Sequence, residues 1–261
     1  MSQSSSTIKK GRWISFGVLL FIIFSLSRVP AEWGAWLMTR QSGLAMSGIS
    51  GSLWKGQANV ASLTAEGQTY TLGKLQWDLQ LMSLLTLKPC ATIIVSGQAQ
   101  SLNGLACVGA GGSIALRDTD VSLPASLLQS KIPIPINGNF SVHFSDLELK
   151  GNVLLKLSGN LSWTNAQANN DVQWISLGSF AAEFTDNKKN GIKAKLFDLE
   201  SDIDLTLDLE LRAPNGGSAN GTLDMPQTMI DQYRLADFLA FLGPQSSVEN
   251  GKSRYQIQQE F

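Results

Sequence analysis

From Asp202 to Arg212 the chain alternates without a break. Ile203, Leu205, Leu207, Leu209 and Leu211 fall on one parity; Asp202, Asp204, Thr206, Asp208 and Glu210 fall on the other. A period of two sends successive side chains to opposite faces of a strand, so this segment reads as a half-buried antiparallel β-strand. Gly151–Trp163 repeats the pattern, with Val153, Leu155, Leu157, Leu161 and Trp163 set against Lys156, Ser158, Asn160 and Ser162. Shorter runs occur at Leu75–Leu81, Ala91–Ser96, Phe140–Phe144 and Ile192–Phe197. The fold class expected is therefore mainly β, made of antiparallel sheet or sheets.

Local breaks in the pattern carry their own readings. Phe140, Val142 and Phe144 share a phase that Leu147 and Leu149 leave, which predicts a bulge or turn near Ser145–Asp146. DNKKNG at 186–191 reads as a hairpin turn, after which Lys193 and Lys195 face the acidic side of 202–210 if the two strands pair. Short turns are expected at LMSLL (81–85) and PASLLQ (124–129), and a closing edge strand in SRYQIQQEF. Met229, Ile230, Tyr233, Phe238, Leu239 and Phe241 recur at helical spacing behind Pro226 and before Gly243-Pro244, which predicts one helix over about 226–242.

GSLWKGQA (51–58) and GNLSWTNAQA (159–168) both place a Trp soon after a Gly-x-Leu start. The echo reads as two similar β-units, 43–135 and 136–261, joined near PIPIPING, where Pro133 and Pro135 disfavour sheet interior. Gly51, Leu53, Trp54 and Gly56 are structural candidates in this reading. Trp54 is expected in the core, and Gly56 is expected to need a positive φ or a close backbone approach.

The N-terminus sets the compartment. Lys9, Lys10 and Arg12 precede an uncharged run from Trp13 to Leu26. With Ser27 the run makes a helix of roughly 22 Å, short of a hydrocarbon core of roughly 30 Å. That shortness, with Ser25 and Ser27 as a small-x-small site, suits a cleaved signal peptide. Against cleavage, no polar region follows the apolar run, and apolar character resumes after Arg28. A helix continuing to residue 36 would pair Arg28 with Glu32 and set Trp13 against Trp33 and Trp36 as two aromatic belts. The reading taken is a cytoplasmic tail at 1–12 and a transmembrane anchor with its periplasmic interface at 13–36. The exported bulk then lies in the periplasm, in contact with membrane lipid.

In an oxidising compartment Cys90 and Cys107, seventeen positions apart, are expected to pair. A net charge of −1 gives no basic patch for nucleic acid. The single histidine, His143, falls on the polar parity of its strand, and one histidine with two cysteines does not fill a tetrahedral metal shell. GAGG (109–112) precedes a β-type run rather than a helix, which removes a phosphate-loop reading. No enzyme, cofactor, metal or small-molecule substrate is expected.

Gly51-Ser52-Leu53-Trp54-Lys55-Gly56 resembles the Gly-Thr-Leu-Trp-x-Gly signature of protein N of the bacterial type II (general) secretion pathway, with Ser52 where Thr is common. KLQWDLQLMSLL (74–85) resembles the stretch that follows it. The resemblance implies an accessory inner-membrane component, a scaffold among other secretion components that aids export of folded proteins across the outer membrane. A competing reading is an AsmA-like lipid-handling protein whose leucine stripes line a groove for acyl chains.

Overall fold

The computed structural model describes residues 7–40, 43–65, 67–109, 111–151, 153–170, 172–187, 191–212 and 216–260. The chain divides between Gly97 and Gln98 into two compact units. PIPIPING lies inside the second.

The first unit begins with helices α1 (Thr7–Ser27) and α2 (Ala31–Thr39). A helix continuous to residue 36 does not form. Pro30 stands at the N-cap of α2 with extended backbone, and the chain corners between Ser27 and Ala31. Arg28 accordingly lies over the Phe24 ring, 4.8 Å from its centroid, instead of pairing with Glu32. α2 buries Ala31 and Ala35 and turns Trp33 and Trp36 outward, 68% and 56% exposed. α1 carries a long exposed apolar set that includes Trp13, Ile14, Phe21 and Phe24. Among the described residues no helix is long and apolar enough to cross a membrane.

Four strands follow in sheet order β1 (Leu44–Gly51), β2 (Lys55–Ala65), β3 (Gln68–Leu79) and β4 (Cys90–Ser96), each antiparallel to its neighbour. A short helix α3 (Leu81–Leu85) stands between β3 and β4, where the turn was expected.

The second unit is an antiparallel meander. It runs β5 (Ser101–Val108), β6 (Ser113–Pro124), β7 (Ile136–Lys150), β8 (Val153–Asn169), β9 (Trp174–Asn187), β10 (Gly191–Glu200), β11 (Asp204–Arg212) and β12 (Gly217–Pro226). A 3-10 turn, Ala125–Lys131, connects β6 to β7. Cross-strand register lines up Leu102, Val121, Val142, Leu161, Ala182, Leu196, Leu207, Gly221 and Ile257 in one apolar row. The next row, on the opposite face, is Asn103, Asp120, His143, Asn160, Glu183, Lys195, Asp208, Asn220 and Gln258. Lys193 stands opposite Glu210 and Lys195 opposite Asp208. The bulge lies where the phase breaks, between Phe144 and Asp146 in the β7–β8 register. β9 and β10 pair directly across residues 188–190, which lie outside the described set.

Two expectations at the C-terminus are corrected. The single helix over 226–242 is two, α4 (Gln227–Tyr233) and α5 (Ala236–Leu242), because Arg234 turns left-handed at φ 53 and ends the first. Strand β14 (Lys252–Glu260) is not an edge: it pairs with β12 on one side and with β13 (Gln245–Glu249) on the other. The two helices pack Ile230 and Leu239 against Ile203, Leu223, Met225 and Tyr255, the core of this end of the unit.

On the wet face here, Arg254 grips Asp224 with both ends of its guanidinium, Nε to Oδ1 at 2.7 Å and Nη2 to Oδ2 at 2.5 Å. This hydrogen bonding holds the Asp224 carboxyl below its ordinary value, against the opposing effect of burial, and the charges of Arg254 and Lys252 add to it. A depressed folded-state pKa means stability that is present at neutral pH and lost as pH falls through that value. Asp224→Asn is therefore expected to cost about 1 kcal/mol at neutral pH. In urea titrations the gap between wild type and variant should begin to close below about pH 3.9, the unfolded carboxyl value.

Candidate functional site

The stretch from Gly51 to Gly56 is the hairpin between β1 and β2, and three pieces of chain meet on it. The turn closes through Ser52 N–H to the Lys55 carbonyl at 2.9 Å and Lys55 N–H to Ser52 Oγ at 3.2 Å. Gly51 has φ 100, a conformation that suits glycine. Gly56 needs its missing side chain for a different reason: a β-carbon there would stand 2.3 Å from Cζ2 of Trp77. Trp77, on β3 directly opposite, packs into that space, is 2% exposed, and donates Nε1–H to the Leu53 carbonyl at 3.1 Å.

The other half of the turn reaches the helices. An α-helix leaves its last carbonyls without intrahelical partners. The Trp54 indole donates to the Leu26 carbonyl in the last turn of α1 at 2.8 Å. Leu53 N–H donates to the Val29 carbonyl at 2.9 Å, and Pro30 and Ser52 form an antiparallel bridge. The Leu53 side chain packs so closely on α2 that a β-carbon at Gly34 would meet its Cδ1 at 2.9 Å. Finally the Trp54 carbonyl accepts from Leu79 N–H at 2.6 Å, which ties in the end of β3. The hexapeptide is thus a clamp that joins the end of α1, the face of α2 and strands β1–β3.

This places most of the expected residues and corrects one. Gly51, Leu53, Trp54 and Gly56 all take part. Trp54 is half-buried rather than in the core; the core indole is Trp77, which donates back into the same turn. Trp77 shares parity with Leu75 and Leu79, and that alternation is the signal that would have found it. Pro30, Ser52 and the helix-end carbonyls carried no such signal. Trp13, Arg28, Trp33 and Trp36 are exposed on or between the helices. The backbones of Lys9, Lys10 and Arg12 belong to α1, while their side chains lie outside the described set. Cys90 and Cys107 are both disulfide-bonded.

Elsewhere, the Asp120 carboxylate accepts from His143 Nδ1 at 2.8 Å. The pair sits in a shallow depression of about 300 Å³ with Ser101, Ser122, Ser141, Asn160 and Ser162. Among the described residues no group of three or more His, Cys, Asp or Glu gathers to hold a metal ion.

Together these features define a class: a mainly β, antiparallel sheet protein whose N-terminal helices are clamped to its first hairpin by a glycine-flanked Trp. Residues 42–252 match the family model described as type II secretion system protein N. The chain belongs to that family. It is 30% identical to the type II secretion system protein N of Vibrio cholerae serotype O1 over 183 residues, covering 67% of this chain and 71% of that one. It is 28% identical to the protein of the same name from Aeromonas hydrophila over 220 residues, covering 81% and 83%. No solved structure matches.

The two indoles are expected to separate cleanly in denaturation of the full chain. Trp77→Ala should lose about 3–5 kcal/mol through its cavity. Trp54→Phe should lose about 1 kcal/mol, the net worth of one hydrogen bond. Replacing both cysteines by serine should lower stability by about 3 kcal/mol, with no further loss when reductant is added.

Proposed function

We propose that the protein is a component of the type II secretion apparatus seated in the inner membrane by α1. Lys9, Lys10 and Arg12 would remain on the cytoplasmic side and the strands on the periplasmic side. There it acts as a scaffold for other inner-membrane components during export of folded proteins. Family membership supports the apparatus. The exposed apolar surface of α1, behind three cations in sequence, supports the seat. The observation that carries the scaffold reading is the clamp. A flexible linker would let the periplasmic part drift, whereas a helix end bonded to a hairpin holds the first sheet at a set angle to its anchor.

The test is complementation of a deletion strain with Trp54→Ala combined with Leu53→Gly, which loosens the clamp while leaving Trp77 in place. The variant is expected to remain in the membrane fraction while the secreted yield of an exported enzyme falls. Full secretion from a membrane-bound variant would remove the scaffold reading.

A second reading, lipid handling, is favoured by the apolar row that runs without a charge from Leu102 to Ile257. It predicts phospholipid in mass spectra of the purified protein. It also predicts disturbed outer-membrane lipids, with secretion intact, on deletion.

A further inference from the structure

We infer that the segment from Leu81 to Leu87 is a second membrane contact, which inserts into the same bilayer face from which α1 emerges; this rests on the reading of α1 as an anchor. Leu81, Met82, Leu85 and Leu87 are 57%, 76%, 77% and 82% exposed, four large apolar side chains within seven residues. No acidic residue lies between Leu79 and Lys88, and Lys88 supplies a cation where anionic headgroups would stand. A segment that leaves water must satisfy its own backbone, and a hub at Ser83 ties up part of this one. Ser83 Oγ donates to the Gln80 carbonyl at 2.5 Å and accepts from Cys90 N–H at 2.9 Å. The Ser83 carbonyl accepts from Thr86 Oγ1 at 2.8 Å and Thr86 N–H at 3.2 Å, while Gln80 N–H reaches the Cys90 carbonyl at 2.8 Å.

The backbone is also strained toward exposure. Leu87 has φ 56, a left-handed conformation uncommon outside glycine, asparagine and aspartate, and it holds the most exposed side chain of the four. Nothing in its own unit repays that strain by burying the leucine. Position supplies the occupant. The Leu26 carbonyl bonds Trp54, and the Trp54 carbonyl bonds Leu79, two residues before Leu81. Two further Cα steps, at most about 7.6 Å, lead from Leu79 to Leu81, so a single residue, Trp54, links the end of α1 to the strand end that opens the segment. The lipid surface that α1 leaves is the nearest apolar phase. An uncharged run as short as Trp13–Leu26 falls short of the hydrocarbon core, a mismatch that contacts flanking it at the interface help to accommodate.

The experiment places a photoreactive benzoylphenylalanine singly at Leu85, at Phe21 in α1, or at Gln68 at the far end of β3. The full chain is reconstituted in vesicles of phosphatidylethanolamine and phosphatidylglycerol, and adducts are read by mass spectrometry. Expected are lipid adducts at Phe21 and Leu85 and their loss at Gln68. Lipid at Phe21 with none at Leu85 overturns the inference and leaves the anchor reading standing. No lipid at Phe21 overturns the anchor reading and this inference with it. Equal labelling at all three positions also overturns it, because contact would then be non-specific.

Discussion

A sheet face stays apolar across nine strands only if every strand keeps phase with its neighbours. Because the side-chain period is two, one inserted residue would throw the rest of a strand onto the wrong face. The second unit sets two of its several irregularities side by side. Asp118 in β6, at φ 42, and Ser145 in β7 are both skipped by the ladder, so Thr119 pairs with Phe144 and Arg117 with Asp146 in step. Beyond them Leu116, Leu147 and Leu157 return to one row. The outer neighbours β5 and β8 carry the register shift, and the apolar face continues through the bend.

The first unit solves a different problem, the end of a helix. The Leu26 carbonyl in the last turn of α1 accepts from the Trp54 indole of the β1–β2 turn, and the Val29 carbonyl just past the helix accepts from Leu53 N–H. This arrangement works because the turn is pressed from both sides. Trp77 fills the space above Gly56 and fixes the Leu53 carbonyl; Leu53 N–H and the Trp54 indole then point at Val29 and Leu26. One glycine admits the core indole, and the core indole steadies the turn that holds the helix. A side chain at position 56 would thus be felt at α1 without touching it.

Much of this was legible in the residues because alternation is a direct consequence of strand geometry. The strands at 202–212 and 151–163, the phase break at 145 and the cross-strand lysines all follow from parity alone. What was not legible depends on partners distant in sequence. Where the chain goes after the corner at Pro30 is set by the bridge to Ser52, twenty-two positions away. The left-handed turn at Arg234 interrupts a helical pattern that is otherwise continuous in spacing. The strand β13 covers β14 although QSSVE has little strand-type alternation. At the clamp, glycine and Trp stood out by composition, yet which indole was core depended on which side of the sheet Trp77 faced.

The likeness between GSLWKGQA and GNLSWTNAQA also has a physical account that requires no equivalence of place. The first is a hairpin turn and the second lies inside β8, where Trp163 stacks on Phe140 with ring centroids 5.3 Å apart. Yet Trp54, Trp77 and Trp163 each donate an indole N–H to a carbonyl beside irregular backbone. These are the end of α1 at Leu26, the turn at Leu53, and the Asn137–Asn139 bulge, where Trp163 Nε1 meets the Asn137 carbonyl at 3.0 Å. Irregular backbone strands carbonyls that neither ladder nor helix satisfies. An indole brings one donor, no acceptor to satisfy in turn, and a large apolar body that packs on its way there. At these three places a Trp does both jobs, and Gly56 and Gly138 make the room beside Trp77 and Trp163.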